Sequence, residues 1–206
     1  MPKNKTFTET NTDEANNVNV GLMLRVKAGG SDAETAFHEL VELHQNAVIG
    51  TIAKMLGNPS EAEDIAQQVF IRLWKSASRY QVKAKFTTFL YTITRNLVFN
   101  ETKRKQRKKE HSLEQQQEDS YTVIEDKNSQ SPGEEILQAE LKAKIDEAIM
   151  ILPEKQRLAV IFRRYENMPY EEISDILELS VSAVKSQLFR ARNTLREHLN
   201  HYLNQS

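Results

Sequence analysis

Residues 170–192 read YEEISDILELSVSAVKSQLFRAR, two apolar periods separated by a break. Ile173, Ile176 and Leu177 recur at steps of three and one, which places them on one face of a short helix. Glu178 and Leu179 interrupt the period, and Ser180 stands where a helix N-cap belongs. Val184, Leu188, Ala191, Leu195 and Leu199 then continue at spacings of three and four. The pattern predicts helices over about 169–177 and 181–200 joined by a short turn, a helix-turn-helix. Such a motif lays its second helix in the major groove of DNA, with its N-terminal residues at the base edges. The outward positions there are Ser182, Lys185, Ser186, Phe189 and Arg190. Lys, Arg and Ser can bond base edges, and Phe can touch a thymine methyl. Arg192 and Arg196 lie further along, where phosphate contact is expected. A plain helical hairpin with a solvated basic face satisfies the same spacing, so the motif alone leaves both readings open.

Outward from this motif the rest of the chain also reads as helical. Only 6 Gly and 5 Pro occur in 206 residues, and 39% of the residues are hydrophobic. Few breakers among many good helix formers favour an all-α fold. Residues 1–18 are polar and read as a disordered tail. Leu22 to Val26 is a short apolar segment stopped by Gly29-Gly30. Ser31 to Glu34 and Ser60 to Glu63 each have the form of a capping box. The helices they would open carry Phe37, Leu40, Val41, Val48, Ile52 and Met55, and then Ile65, Val69, Leu73 and Trp74. Trp74 is expected in the core. Tyr80 to Lys85 reads as a loop, and Phe86, Phe89, Leu90, Ile93 and Leu97 mark another amphipathic helix. Ile136, Leu141, Ile145, Ile149 and Leu152 resume the period, Pro153 interrupts it, and Leu158 to Phe162 continue it.

The net charge of −1 hides segregation. Lys103, Arg104, Lys105, Arg107, Lys108 and Lys109 form a basic block, whereas residues 110–140 carry nine acids against Lys127 alone. The stretch 107–133 is rich in Gln, Glu, Ser and Asp and closes on Ser131-Pro132-Gly133, the composition of a flexible acidic linker. The expected division is therefore a tail over 1–20, a helical domain over 21–106, a linker over 107–133 and a second helical domain over 134–203. No cysteine occurs, so disulfides and thiolate metal sites are excluded and a reducing compartment is comfortable. No apolar run has the length of a membrane span, and residues 1–17 lack the apolar stretch of a secretory signal. The expected location is the cytoplasm, with no membrane insertion.

These residues resemble a known family. Leu152-Pro153, Arg157, Glu172-Ile173, Val184-Lys185-Ser186 and Phe189 to Arg192 look like the C-terminal domain of extracytoplasmic-function sigma factors, the small branch of the sigma-70 family. A second match lies upstream. Asp64, Gln67, Phe70 and Trp74 fit the family's Asp-x-x-Gln-x-x-Phe-x-x-x-Trp helix, and Phe86, Phe89-Leu90, Ile93 and Arg95-Asn96 look like the helix that follows it. The two motif sets stand in the family's order with a linker between them, and together they cover about 22–106 and 134–203. The resemblance implies a protein that directs RNA polymerase to promoters. Asp64, Gln67 and Gln68 would face core polymerase. Tyr80, Lys83, Lys85, Arg95, Asn96, Lys103 and Arg104 would meet the minus-10 element and its opened strand. Ser182, Lys185, Ser186, Phe189, Arg190 and Arg192 would read the minus-35 element. The implied partners are core RNA polymerase and promoter DNA, with room for an anti-sigma factor of the kind that restrains many relatives. The chain departs from the family's usual residues at several places. Gln68 stands for Glu, Phe89 for Trp, and Glu178 for the Gly of the helix-turn-helix. A non-Gly residue in a left-handed turn costs about 1 kcal/mol.

Other classes are less well served. A free-standing helix-turn-helix regulator leaves the Asp64 helix without a role. Glu61, Glu63 and Asp64 could be read as a metal-binding acid cluster, but acids belong at a helix N-terminus on dipole grounds. His198 and His201 share a helix face without further ligands of zinc type. With no phosphate-binding Gly-rich loop and no nucleophile–base set, the sequence calls for no catalytic residue, metal or cofactor.

Overall fold

A computed structural model describes the backbone of residues 7–111 and 132–203 and the side chains of residues 14–107 and 140–200. Among the described residues there are eight α-helices and no strand. The first domain comprises α1 (Phe7–Ala28), α2 (Ala33–Leu56), α3 (Ala62–Ser76) and α4 (Phe86–His111). The second comprises α5 (Pro132–Met150), α6 (Glu154–Arg164), α7 (Tyr170–Leu177) and α8 (Val181–Leu203). The all-α, two-domain expectation holds. Most of the proposed acidic linker, residues 112–131, lies outside the described residues.

The first core forms where the apolar faces of α1 to α4 meet. Met23, Leu40, Val48, Ile52, Leu73, Phe86 and Leu90 are fully buried there. The second core holds Ile161, Phe162, Ile173, Ile176, Val184 and Ala191, also fully buried. These are the positions that the three- and four-residue spacing selects. The two cores are continuous, because α4 packs on α7 and α2 on α6.

Helix α1 starts at Phe7, well inside the stretch expected to be a disordered tail. Its polar residues serve the fold as hydrogen-bonding groups. Asn16 Oδ1 accepts the Phe86 N–H at 3.0 Å, which satisfies an otherwise orphaned donor at the start of α4. Asn19 is buried, and its Oδ1 lies 3.0 Å from His44 Nε2.

Neither expected capping box forms. Asp32 occupies the N-cap of α2 without bonding to it, because its carboxylate is held by Arg25 at 2.6 and 2.7 Å. Before α3, a 3-10 turn over Pro59–Glu61 is capped by Asn58, whose Oδ1 accepts both the Ser60 N–H and the Ser60 hydroxyl. Trp74 is also placed differently from expectation. It is 40% exposed, with its ring edge-on to Phe37 at 5.0 Å at the rim of a groove. The helical period of α3 turns position 74 to the boundary of its apolar face, and an indole tolerates that position because it is large and partly polar. Pro153 interrupts the chain as expected. Arg157 of α6 then donates to the Met150 carbonyl at 3.1 Å, satisfying a carbonyl at the end of α5.

Two outcomes test this packing. Phe86→Ala removes the largest fully buried ring of the first core, and we expect a loss of about 3–5 kcal/mol in urea denaturation. His44 is the second. Burial holds its imidazole below the ordinary value of 6.5, so the unfolded chain takes up the proton first. Its contribution is complete above about pH 6.5 and is lost as the pH falls through the window below it. Melting temperatures at pH 7.5 and 5.5 should therefore differ more for the wild-type chain than for His44→Gln, and equal differences would refute the assignment.

Candidate nucleic-acid interface

The α3 surface is set by amphipathic spacing. Ala62, Ile65, Ala66, Val69, Phe70 and Leu73 are buried, which leaves Asp64, Gln67, Gln68, Ile71, Arg72 and Lys75 exposed. Asp64, Gln67 and Gln68 thus share one solvent face, as α-helical steps of three and four require. Of the acids once open to a metal reading, Glu61 pairs with Lys105 of α4. Among the described residues no group of three His, Cys, Asp or Glu side chains could hold a metal ion.

The residues assigned to the minus-10 element do not form one open face. Lys83 and Asn96 are exposed, as are Lys103 and Arg104 further along α4. Lys103 Nζ sits 4.3 Å from the Phe99 ring centroid, and Arg104 pairs with Glu101 at 2.6 Å. Tyr80 points inward. It is 2% exposed, its ring lies 5.2 Å from Phe89, and its buried hydroxyl has no hydrogen-bond partner among the described residues. The Tyr80 carbonyl accepts Lys27 Nζ at 2.7 Å, so backbone and ring are both tied to the first domain. Lys85 and Arg95 face the second domain. Lys85 meets Glu172 of α7 at 2.8 Å, and Arg95 meets Glu178 at 2.6 Å while also donating to Asn96 Oδ1.

The helix-turn-helix follows the sequence closely. Glu178 adopts φ 54 and ψ 45, so the left-handed turn survives the loss of glycine. Ser180 caps α8 by accepting the Ala183 N–H on its hydroxyl at 3.2 Å, and its carbonyl accepts the Val184 N–H at 3.0 Å. Val184 and Ala191 are buried against α6 and α7. Ser182, Lys185, Ser186, Phe189, Arg190 and Arg192 are all exposed, with Phe189 at 63%. An exposed phenylalanine flanked by cations on one helix face suits a groove that offers methyl groups and phosphates. Behind this face, Arg163 and Lys185 lie 5.0 and 5.6 Å from the Tyr170 ring centroid, which anchors the base of the motif.

Sequence reasoning missed one partly buried cluster. Glu166, between α6 and α7, accepts hydrogen bonds from Thr51 Oγ1 and Tyr91 Oη, both at 2.5 Å. Tyr91 is 3% exposed, and its phenol is pushed far up, first by burial and then by the Glu166 carboxylate. The three residues lie 75 and 115 positions apart, so no local spacing could have joined them.

Comparison with known proteins places this architecture. Residues 40–108 match the sigma-70 region 2 family and residues 142–195 match sigma-70 region 4. The ECF RNA polymerase sigma factor SigW of Bacillus subtilis (strain 168) is 30% identical over 177 residues, which is 85% of this chain and 93% of that protein. The chain belongs to the ECF sigma factors. A second relative, the RNA polymerase sigma-H factor of Pseudomonas aeruginosa, is 30% identical over 84% of this chain and 90% of its own length. The fold is also that of the sigma factor RpoE of Bartonella quintana, solved with the anti-sigma factor NepR. That comparison has a TM-score of 0.66 at 22% identity and covers 80% of this chain and 96% of that one. As a sigma factor of this family, the protein serves promoter-specific transcription initiation through regions 2 and 4. Among the described residues no helix is long and apolar enough to cross a membrane.

The cap of the recognition helix gives a direct test. Ser180→Ala removes the hydroxyl that accepts the Ala183 N–H, and we expect a loss of about 1 kcal/mol in denaturant unfolding. Ser180→Asp, which restores an acceptor, should recover most of it.

Proposed function

We propose that this sigma factor binds core RNA polymerase through the α3 face of Asp64, Gln67 and Gln68. In this reading Lys83, Lys85, Arg95, Asn96, Lys103 and Arg104 engage the minus-10 element, and Ser182, Lys185, Ser186, Phe189, Arg190 and Arg192 read the minus-35 element. The observation that carries it is the α8 face: six side chains of the right chemistry, all exposed, on a helix whose opposite side is buried. The α3 face supports the polymerase contact in the same way, because those three polar side chains are all exposed on a helix whose other side is buried. Tyr80 serves this function differently from the other minus-10 residues, as a buried support for the loop.

The chain contributes binding energy and carries out no chemistry of its own. A base leaving the duplex loses its stacking, and melting becomes cheaper when protein surface replaces that stack. Cations beside the strand release counterions and steepen the salt dependence of binding. The protein works in the cytoplasm with polymerase, and an anti-sigma factor is a further partner, by analogy with the Bartonella protein solved in complex with one.

Run-off transcription with bacterial core polymerase, on DNA from upstream of the protein's own gene, tests the assignment. Promoter-specific transcripts should appear only when the protein is present. Asp64→Ala should weaken core binding, whereas Lys185→Ala should leave core binding intact and lower promoter use on the order of tenfold, the size of one lost base or phosphate contact. Sequence-specific DNA binding without core binding or transcripts would instead identify a free-standing regulator.

A further inference from the structure

Helix α1 reaches the loop before α4 at both of its ends. Lys27 Nζ donates to the Tyr80 carbonyl at 2.7 Å, where the loop begins. Asn16 Oδ1 accepts the Phe86 N–H at 3.0 Å, where it ends. Lys27 follows Asn16 by about three turns of one helix, so both side chains leave the same face of α1. Met23 and Val26 lie between them on that face and are buried, which seats the face in the first core. A third link runs through Asn19. Its Oδ1 lies 3.0 Å from His44 Nε2, and the His44 ring lies 5.2 Å from the ring of Phe86.

The loop has few bonds of its own. Gln81, Val82, Lys83 and Ala84 are all exposed. Among the described residues their backbone makes one internal hydrogen bond, from the Lys83 N–H to the Gln81 carbonyl at 2.9 Å. Lys83, Ala84 and Lys85 offer no side-chain acceptor to the first N–H groups of α4, so the cap has to come from elsewhere in the chain. With both ends tied to a helix seated in the core, the exposed tip keeps its place without packing of its own. A loop free at either end would lose conformational freedom on meeting a ligand, and that loss subtracts from affinity.

We propose that Asn16 and Lys27 are positioning residues for promoter opening, which hold loop 80–85 by its two ends in the form that receives an unpaired base. The inference rests on the minus-10 role proposed above for residues of this loop. Neither Asn16 nor Lys27 touches the strand in this assignment. They act by fixing where Lys83 and Lys85 stand beside it. The Lys27 ammonium is engaged by a carbonyl of the protein, and the Asn16 amide oxygen by a backbone N–H.

The test uses holoenzyme assembled from bacterial core polymerase and the full chain, with a labelled non-template single strand from upstream of the protein's own gene. Asn16→Ala removes the acceptor, and Lys27→Met removes the donor while keeping most of the stem. We expect the double variant to bind the strand about tenfold more weakly than wild type, the size of one base's stacking. Core binding should stay at the wild-type level. Asn16→Asp and Lys27→Arg keep the acceptor and the donor and should restore strand affinity. Asn58→Ala, which loses a cap at the 3-10 turn before α3, should leave strand affinity unchanged. Salt dependence separates positioning from contact. Its slope should be the same in Lys27→Met as in wild type, because a residue that touches no phosphate releases no counterion. A shallower slope would make Lys27 a phosphate ligand and overturn its positioning role. Unchanged strand affinity in the double variant would overturn the proposal. So would an equal loss in Asn58→Ala or a parallel loss of core binding, either of which assigns the bonds to stability alone. Run-off transcription by the wild-type holoenzyme separates the two levels. Transcripts together with unchanged strand affinity in the double variant reject the positioning role alone, whereas absence of transcripts rejects the minus-10 reading and this role with it.

Discussion

Helix α4 has to bury two faces at once, and the rest of the structure depends on that. One side contributes Phe86 and Leu90 to the first core, and another carries Tyr91 and Arg95 toward the second domain. Helices α1, α2 and α3 pack against it, and so does α7. With no cysteine to form a disulfide, packing, hydrogen bonds and ion pairs hold these partners in place. A helix used from two sides cannot show a clean amphipathic stripe, and the sequence FTTFLYTITRNLVFN accordingly spreads apolar residues around its circumference.

The sequence was most legible where a helix buries one face only. Ile173, Ile176, Leu177 and Val184 are as buried as their spacing demands, and Ser180 caps as its position demands. Legibility fell where one residue type can serve two ends. Asp32 has the chemistry of a cap, yet a guanidinium within reach offers its carboxylate a charge-assisted bond that a backbone N–H cannot match. Asn16 and Asn19 have the composition of a solvated tail, yet both are spent on protein partners far along the chain. Trp74 lies at the edge of a periodic face, where a shift of one position separates core from rim.

The functional surface divides in the same manner. Side chains on regular helix faces, such as Asp64, Gln67 and Gln68 or Lys185 and Arg190, emerge where periodicity puts them. Side chains in the loop before α4 depend on what neighbouring segments leave open, and Tyr80 is drawn inward because its ring finds Phe89. Lys85, Arg95 and the hydroxyls that meet Glu166 are set by the docking of one domain on another, which no local pattern encodes. Charge counts show only that acids and bases are segregated; which acid meets which base is decided in three dimensions.

The bond from Asn16 to the Phe86 N–H has a consequence for how the chain is made. The acceptor is synthesised 70 residues before its donor. At translation rates of about 5–20 residues per second, the ribosome takes about 4 to 14 s to cover that interval. During this time α1 lacks the α4 terminus that Asn16 caps, although α2, its main packing partner, is already made. The first domain is therefore completed only when α4 emerges and its first N–H reaches Asn16. A nascent chain stalled before Phe86 would already carry α1 beside α2, with the Asn16 acceptor still waiting for its donor.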